Sequence, residues 1–299
     1  TTQTLVVSEF SCPEFRMRVV KQRDLYTDGL EGAVKTKLVS SQPTYLGGKW
    51  GGKYLRAPEV FWTILQRGKD KLVRLGDLAK VLTVSWSRQG QNATLMSSKS
   101  QGRPKEKVIE VLKSPKDVSK IPLRRSDTHY FLKLKEWVKG HLVYAPIVWV
   151  DIRGDKHICH LCVEAIPFTH NFHGIHPENS ESTEELCAIL NSQLSWLCIE
   201  ALGRRGLGGG AVRVLVDDLR LHFPVLNPSA LSSSERASLV DAFHQMANRE
   251  VKSVFEELGL RPTERDYGRI DSADISLDKV LPDRRELDRV VFEALGLTE

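Results

Sequence analysis

Arg204 and Arg205 stand directly before a glycine-rich run, in the segment GRRGLGGGAVRV at positions 203–214. Two fixed cations beside a backbone that can adopt positive φ make a place where the chain can come close to a phosphate, a base or another backbone. Gly206 to Ala211 spells G-x-G-x-x-A, which marks a dinucleotide or methyl-donor loop when a strand precedes it and a helix follows. The order expected here is the reverse. Ser182 and Glu185 form a capping box. Leu186, Ile189, Leu190, Leu194, Leu197, Cys198 and Leu202 then carry a helical period that ends at Gly203. After the glycines, Val212, Val214 and Val216 alternate with Arg213, Leu215 and Asp217 as a strand does. That context argues against a cofactor loop, and the absence of a Lys-Ser or Lys-Thr pair after the glycines excludes a Walker A loop.

A second group of reactive side chains is the C-x-x-C of Cys159 and Cys162, with His157 and His160 interleaved and His170, His173 and His176 following. A zinc site needs four converging ligands and a turn between paired cysteines. The run HICHLCVEAI alternates as a strand, which sends Cys159 and Cys162 to opposite faces. No metal site is therefore expected. Asp241, Glu250 and Lys252 have the order of a metal-dependent nuclease site, but all three fall in one expected helix rather than on paired strands. That leaves a nuclease fragment as an alternative reading, beside a protein-interaction module in which the glycine loop docks a partner domain.

Charge is distributed unevenly over the 299 residues. The net formal charge is +5, yet positions 49–150 carry 21 Lys and Arg against 8 Asp and Glu, while positions 151–299 carry 16 against 25. A concentrated positive stretch suits a polyanion such as nucleic acid. No apolar run reaches the twenty residues needed to span a bilayer, and no signal-peptide pattern opens the chain. The reading is of a soluble cytoplasmic protein with no membrane partner. Five cysteines in such a chain do not suggest a disulfide framework. The chain opens on threonine and closes within an amphipathic pattern, DRRELDRVVFEALGLTE, that shows no cap. It reads as a piece of a longer polypeptide.

Several elements must position these groups. Pro58 suits the first turn of a helix carrying Val60, Phe61, Ile64 and Leu65. The polar segment SWSRQGQNATLMSSKSQGRPKEK, positions 85–107, reads as a mobile loop. Strands are expected at FLKLKEW, HLVYAPIVWV and HICHLCVEAI, and a long helix across SSSERASLVDAFHQMANREVKSVFEELG, closed by Gly259. Of the tryptophans, Trp62, Trp149 and Trp196 suit the core, whereas Trp86 lies among polar residues.

Taken in order, GGKYLRAPEVFWTIL, KLVRLGDLAKV, VLKSPKDVSKI, YAPIVWVDIRGDKH, THNFHGIHPE, ILNSQLSWLCIEALGRRGLGGGAVRV and DLRLHFPVLNPS resemble the C-terminal specificity domain of TaqI-type adenine-specific DNA methyltransferases of restriction-modification systems. The resemblance covers positions 47–230. It implies an α+β fold, a mixed β-sheet specificity domain with flanking helices and a C-terminal helical segment. It also implies three regions. Positions 1–46 connect to a methyltransferase domain of the same parent chain, 47–230 recognise target DNA, and 231–299 form a helical segment that reads as truncated. In such enzymes a separate domain binds S-adenosylmethionine and methylates a flipped adenine. The N-P-P-Y-type tetrapeptide of that domain is absent, with only Asn227-Pro228-Ser229 in its stead, so this chain carries no catalytic residue and no cofactor of its own. The implied partner is double-stranded DNA, and the implied setting is the prokaryotic cytoplasm, with the protein associated with the nucleoid.

The recognition loop of many relatives, roughly G-x-T-T-G-A-N-E-F-F-Y-L, corresponds to SWSRQGQNATLM, in which Gly90 and Asn92 match and the threonines and aromatics do not. Arg88, Gln89, Gln91, Asn92 and Arg103 suit base-edge readout, since Arg pairs with guanine and Asn or Gln with adenine. Lys49, Lys53, Arg56, Arg124 and Arg125 suit phosphate contacts, which position the duplex without reading it, and so do Arg204 and Arg205 beside their glycines.

Overall fold

The computed structural model describes residues 19–31, 44–45, 51–84, 93–97, 108–134, 142–205, 211–260, 271, 273 and 275–297. The chain forms two compact units, 1–58 and 59–299. In the first, helix α1 (Gln22–Gly29) precedes β1 (Leu30–Glu31), which pairs antiparallel with β2 (Thr44–Tyr45), and a π-helical turn spans Gly51–Arg56. Helix α1 buries only Gly29. A helix with no apolar face reads from sequence as a polar connector.

The second unit holds, in order, α2 (Glu59–Arg67), β3 (Leu72–Arg74), α3 (Leu75–Leu78), β4 (Ala79–Thr83), β5 (Ala93–Ser97), β6 (Ile109–Val111), β7 (Pro122–Leu123), β8 (Tyr130–Leu134), β9 (Ile147–Val150) and β10 (Ile152–Arg153). It continues with β11 (Cys159–Cys162), β12 (Phe172–Pro177), α4 (Thr183–Asn191), α5 (Gln193–Leu202), β13 (Val212–Arg213), α6 (Val216–His222), β14 (Pro224–Leu226), α7 (Ser233–Ala247), α8 (Val254–Glu257) and α9 (Pro282–Ala294). The architecture is α+β with mixed sheets.

The central sheet runs β4-β12-β9-β11-β7, antiparallel throughout except for the parallel β11–β7 pair. A second sheet, β5-β8-β6, is antiparallel. All four residues of β9 are buried, as expected of a strand covered on both faces. Trp149 on it meets Phe223 edge-on, ring centroids 5.2 Å apart. The neighbouring Gly174 of β12 has no room for a side chain, because a Cβ there would come within 2.7 Å of Phe168 and 2.8 Å of Ala145. Helix α4 covers β11 and β12 with the fully buried Leu186, Ile189 and Leu190, each contributing about 2 kcal/mol of apolar burial. Asn191 fastens that helix to the sheet: its Oδ1 accepts from the Cys159 N–H at 2.9 Å and its Nδ2 donates to the Cys159 carbonyl at 2.9 Å. Helix α7 lies over α4, and α9 packs on α7 and α5.

Several sequence expectations change. The helical period expected from Ser182 to Gly203 is two helices, broken at Ser192, whose backbone is extended (ψ 162°). The hydroxyls of Ser192 and Ser195 both donate to the Ile189 carbonyl, at 2.6 and 2.9 Å, and so stabilise the break. The capping box at Ser182 does not form; a 3-10 turn over Ser180–Ser182 leads in, with the Asn179 side chain accepting from the Glu181 N–H. The strand after the glycines ends at Arg213, and Val216 opens α6 instead of extending it. The long helix expected over 232–259 stops at Ala247 and resumes only as α8. Asp241 is therefore helical while Glu250 and Lys252 lie in the break.

Within 85–107, residues 93–97 are strand β5 rather than loop, and 85–92 and 98–107 lie outside the described residues. The strand expected from His141 begins only at Ile147. Helix α9 does have a cap, since Gly296 adopts φ +73° and the N–H groups of Gly296 and Leu297 donate to Glu293 and Phe292, the Schellman arrangement. On α2, Phe61 and Ile64 are buried while Val60 is exposed, and Pro58 directly precedes the first turn. Trp149 is fully buried, whereas Trp62 and Trp196 are half-buried, and Trp86 lies outside the described residues.

Candidate nucleic-acid interface

Cys159 and Cys162 lie on strand β11, the first buried and the second half-buried. His160, buried beside them, has its Nδ1 2.8 Å from the Lys120 carbonyl, and burial pushes it down to about 4. Among the described residues no three His, Cys, Asp or Glu side chains converge as a metal would require. His173 belongs to another cluster. Its Nε2 is 3.1 Å from Asp151 Oδ1, and the Arg213 Nε and Nη2 donate to the same carboxylate at 3.0 and 2.8 Å. Burial alone would raise Asp151, but the hydrogen bonds and charges of His173 and Arg213 outweigh it and hold the carboxyl below its ordinary range. Arg213 also exchanges backbone hydrogen bonds with Arg204, at 2.7 and 3.0 Å. The buried carboxylate thus fixes the strand that carries the far flank of the glycine run.

Arg204 and Arg205 are about half exposed, with Arg204 Nε 3.6 Å from Asp218 and Arg205 ion-paired to Glu200. The Arg205–Glu200 pair is exposed and contributes little stability, so a phosphate can replace that carboxylate at small cost; Asp218 is only 5% exposed, so Arg204 is turned toward a buried carboxylate. Arg124 is exposed, its N–H donating to Asp127 at 2.8 Å. Arg125 is held more firmly, with its N–H on Glu164 and its guanidinium on the Ala165 carbonyl at 3.2 and 3.3 Å. In the first unit, Lys53 pairs with Asp28, which also accepts from the Tyr54 hydroxyl and helps burial push that phenol up, while Arg56 is exposed. Lys49, Arg88, Gln89, Gln91, Asn92 and Arg103 lie outside the described residues.

The second unit also has a cleft of about 1130 Å³ that the sequence reading did not foresee. Its walls are the turn at Ser114–Lys116, the turn at Arg153–Lys156, the Gln193, Trp196 and Glu200 face of α5, and Val254 and Phe255 of α8, with Asn171, Arg205 and Ala211. Of the expected phosphate-contact residues that are described, only Arg205 lines it. Arg153, on β10, is 5% exposed. Its Nη1 donates to the Ile158 carbonyl at 2.6 Å and its guanidinium lies 4.2 Å from the Trp149 ring centroid. Its Nε and Nη2 have no hydrogen-bond partner among the described residues. Burial lowers Arg153 to about 10, so it remains charged at neutral pH. The neighbouring His157 is pushed well below its ordinary value by burial and by the charges of Arg153 and Arg284, which keeps it neutral.

No family model and no curated protein sequence matches the chain. Among solved structures, the type IIG restriction endonuclease BpuSI aligns with a TM-score of 0.51 at 11% identity, over 79% of this chain and 33% of that one. The HsdS subunit from Thermoanaerobacter tengcongensis aligns with a TM-score of 0.37 at 11% identity, over 78% and 53% of the two chains. A chain from a type I restriction-modification system aligns at 0.39 and 12%, over 64% and 45%. The BpuSI likeness is one of fold, and this chain spans about a third of that protein's length. No helix among the described residues is long and apolar enough to cross a membrane.

Proposed function

We propose that this chain is a sequence-specific duplex-DNA recognition domain of a restriction-modification system. It positions its site for an adenine-specific methyltransferase domain of the same parent protein, in the cytoplasm of a prokaryote. The observation that carries this reading is that the ordered motif series between 47 and 230, with its excess of basic residues, lies on a chain whose fold is like part of a type IIG restriction endonuclease. Arg204 and Arg205 precede the glycines at the end of α5 and, with Arg124 and Arg125, act as phosphate contacts, while the 85–107 segment reads base edges.

The parent's methyl donor is S-adenosylmethionine, bound by the separate domain. Residues of this chain do not fit it, because the glycines follow helix α5 and precede strand β13, the reverse of the order a methyl-donor loop requires. The chain alone should transfer no methyl group.

Titration of labelled duplexes across a salt series tests the reading. Contact with about five phosphates predicts that log affinity falls with log salt at a slope of roughly −4 to −5. Absence of binding at low salt, or a slope near zero, would overturn it.

A further inference from the structure

A guanidinium removed from water costs several kcal/mol unless it is paired, and Arg153 is removed from water without a carboxylate. Of the two carboxylates that stand two positions away in the sequence, Asp151 is committed to His173 and Arg213 and Asp155 is exposed. What Arg153 has instead is the Ile158 carbonyl and, more distantly, His157 Nδ1 at 3.4 Å, both on Nη1, together with the face of Trp149; the buried Nε–Nη2 edge, the edge that forks onto an oxyanion, has no acceptor among the described residues. The residue forms part of the cleft wall. Two further cations, Lys116 and Lys156, line the same cleft. Of its two carboxylates, Glu200 is neutralised by Arg205, which leaves Asp155 against three cations. Ser114 and Asn171 contribute side chains that can hydrogen-bond an anion.

We infer that this cleft is a phosphate-binding site, with Arg153 supplying a fixed charge in its wall and Lys116 and Lys156 closing on the anion from its sides. The doubly charged phosphate matches the surplus of cations better than a single carboxylate does. The inference goes beyond duplex recognition, since the phosphate can belong to a nucleic-acid backbone or to a free mononucleotide.

The test is calorimetric titration of the full chain with inorganic phosphate, against chloride at equal ionic strength, on the wild type and on two variants. The double substitution Lys116→Gln/Lys156→Gln alters one exposed and one half-buried side chain and should leave the melting temperature unchanged while weakening phosphate binding by about tenfold or more. Arg153→Met should fold and lose the binding. No phosphate-specific heat in the wild type, or binding that survives both variants, would overturn the site.

Two further arms distinguish the source. If a short DNA duplex competes with phosphate and its affinity falls in the lysine variant, the bound group is a backbone phosphate. If adenosine monophosphate competes while duplex affinity is unchanged, the group is that of a free nucleotide. Phosphate binding with no duplex binding at all would sink the DNA reading and leave this site standing.

Discussion

Two arginines of the second unit are buried to the same depth and are treated in opposite ways. Arg284, on α9, is 4% exposed, and its Nε donates to Glu257 at 2.7 Å. Glu257 in turn accepts from Arg249 at 2.8 Å, and Arg249 bonds Asp283. Every charge there has a partner inside the fold. Arg153 is 5% exposed and has no carboxylate among the described residues. A closed network of charges fixes the geometry of its helices, whereas an open one leaves donors that no described residue satisfies. Burial of a charge is therefore a poor guide to its role; the partner count separates the structural arginine from the binding one.

The contrast breaks or holds under substitution. Glu257→Ala strands Arg284 and should cost about 3–5 kcal/mol in urea denaturation, while Arg153→Met should fall between no change and about 2 kcal/mol of added stability. An equal loss in both would make Arg153 structural. Asp151→Asn tests whether the carboxylate was diverted from Arg153 to fix strand β13; weakened bonds to His173 and Arg213 should cost about 1–3 kcal/mol, and a neutral result by the same assay would remove Asp151 from that role.

Asp288 sharpens the comparison on the Arg284 side. It accepts from the Gln193 N–H at 2.7 Å, yet burial pushes it up to about 7 against the opposing pull of that hydrogen bond and of Arg284. A carboxyl raised in the folded state stays protonated there while the unfolded chain ionises. The wild type should thus lose stability as pH rises from about 4 to 7, by up to about 1.4 kcal/mol per unit, and level off above. Asp288→Asn should lack that slope, and parallel stability profiles for the two proteins would refute the assignment. The smallest effect is expected away from both arginines, at the capping box of α7, where Ser232 accepts from the Glu235 N–H. Ser232→Ala should cost about 1 kcal/mol, measurable as a shift in the denaturation midpoint at unchanged slope.

Local pattern announced much of this fold. The β-branched and aromatic run around Trp149 and the alternation through Cys159–Cys162 read directly as strands, while the α+β class was what the family resemblance implied. The helix breaks were hidden because they depend on distant partners. Nothing in NSQ announces that Asp288 will cap Gln193 ninety-five residues earlier in the chain, nor does NREVKS show Arg249 drawn to Asp283 and Glu257. The cleft was hidden for a related reason. In DIRGD, Arg153 stands two positions from Asp151 and from Asp155 and looks paired; its significance lies in contacts it does not make. An isolated arginine inside an otherwise strand-like run was the available signal. Arg204 and Arg205 were visible because a glycine run changes local backbone chemistry, which sequence does display.

The cap that Asp288 places on α5 also bears on how the protein is made. A ribosome finishes Gln193 and must add 95 more residues before the carboxylate exists, which at ordinary elongation rates takes roughly 5 to 20 s. During that interval the helix leading to Arg204 and Arg205 lacks the acceptor for its first N–H. The helix that ends beside the arginine pair therefore gains this N-terminal cap only once α9 has been synthesised.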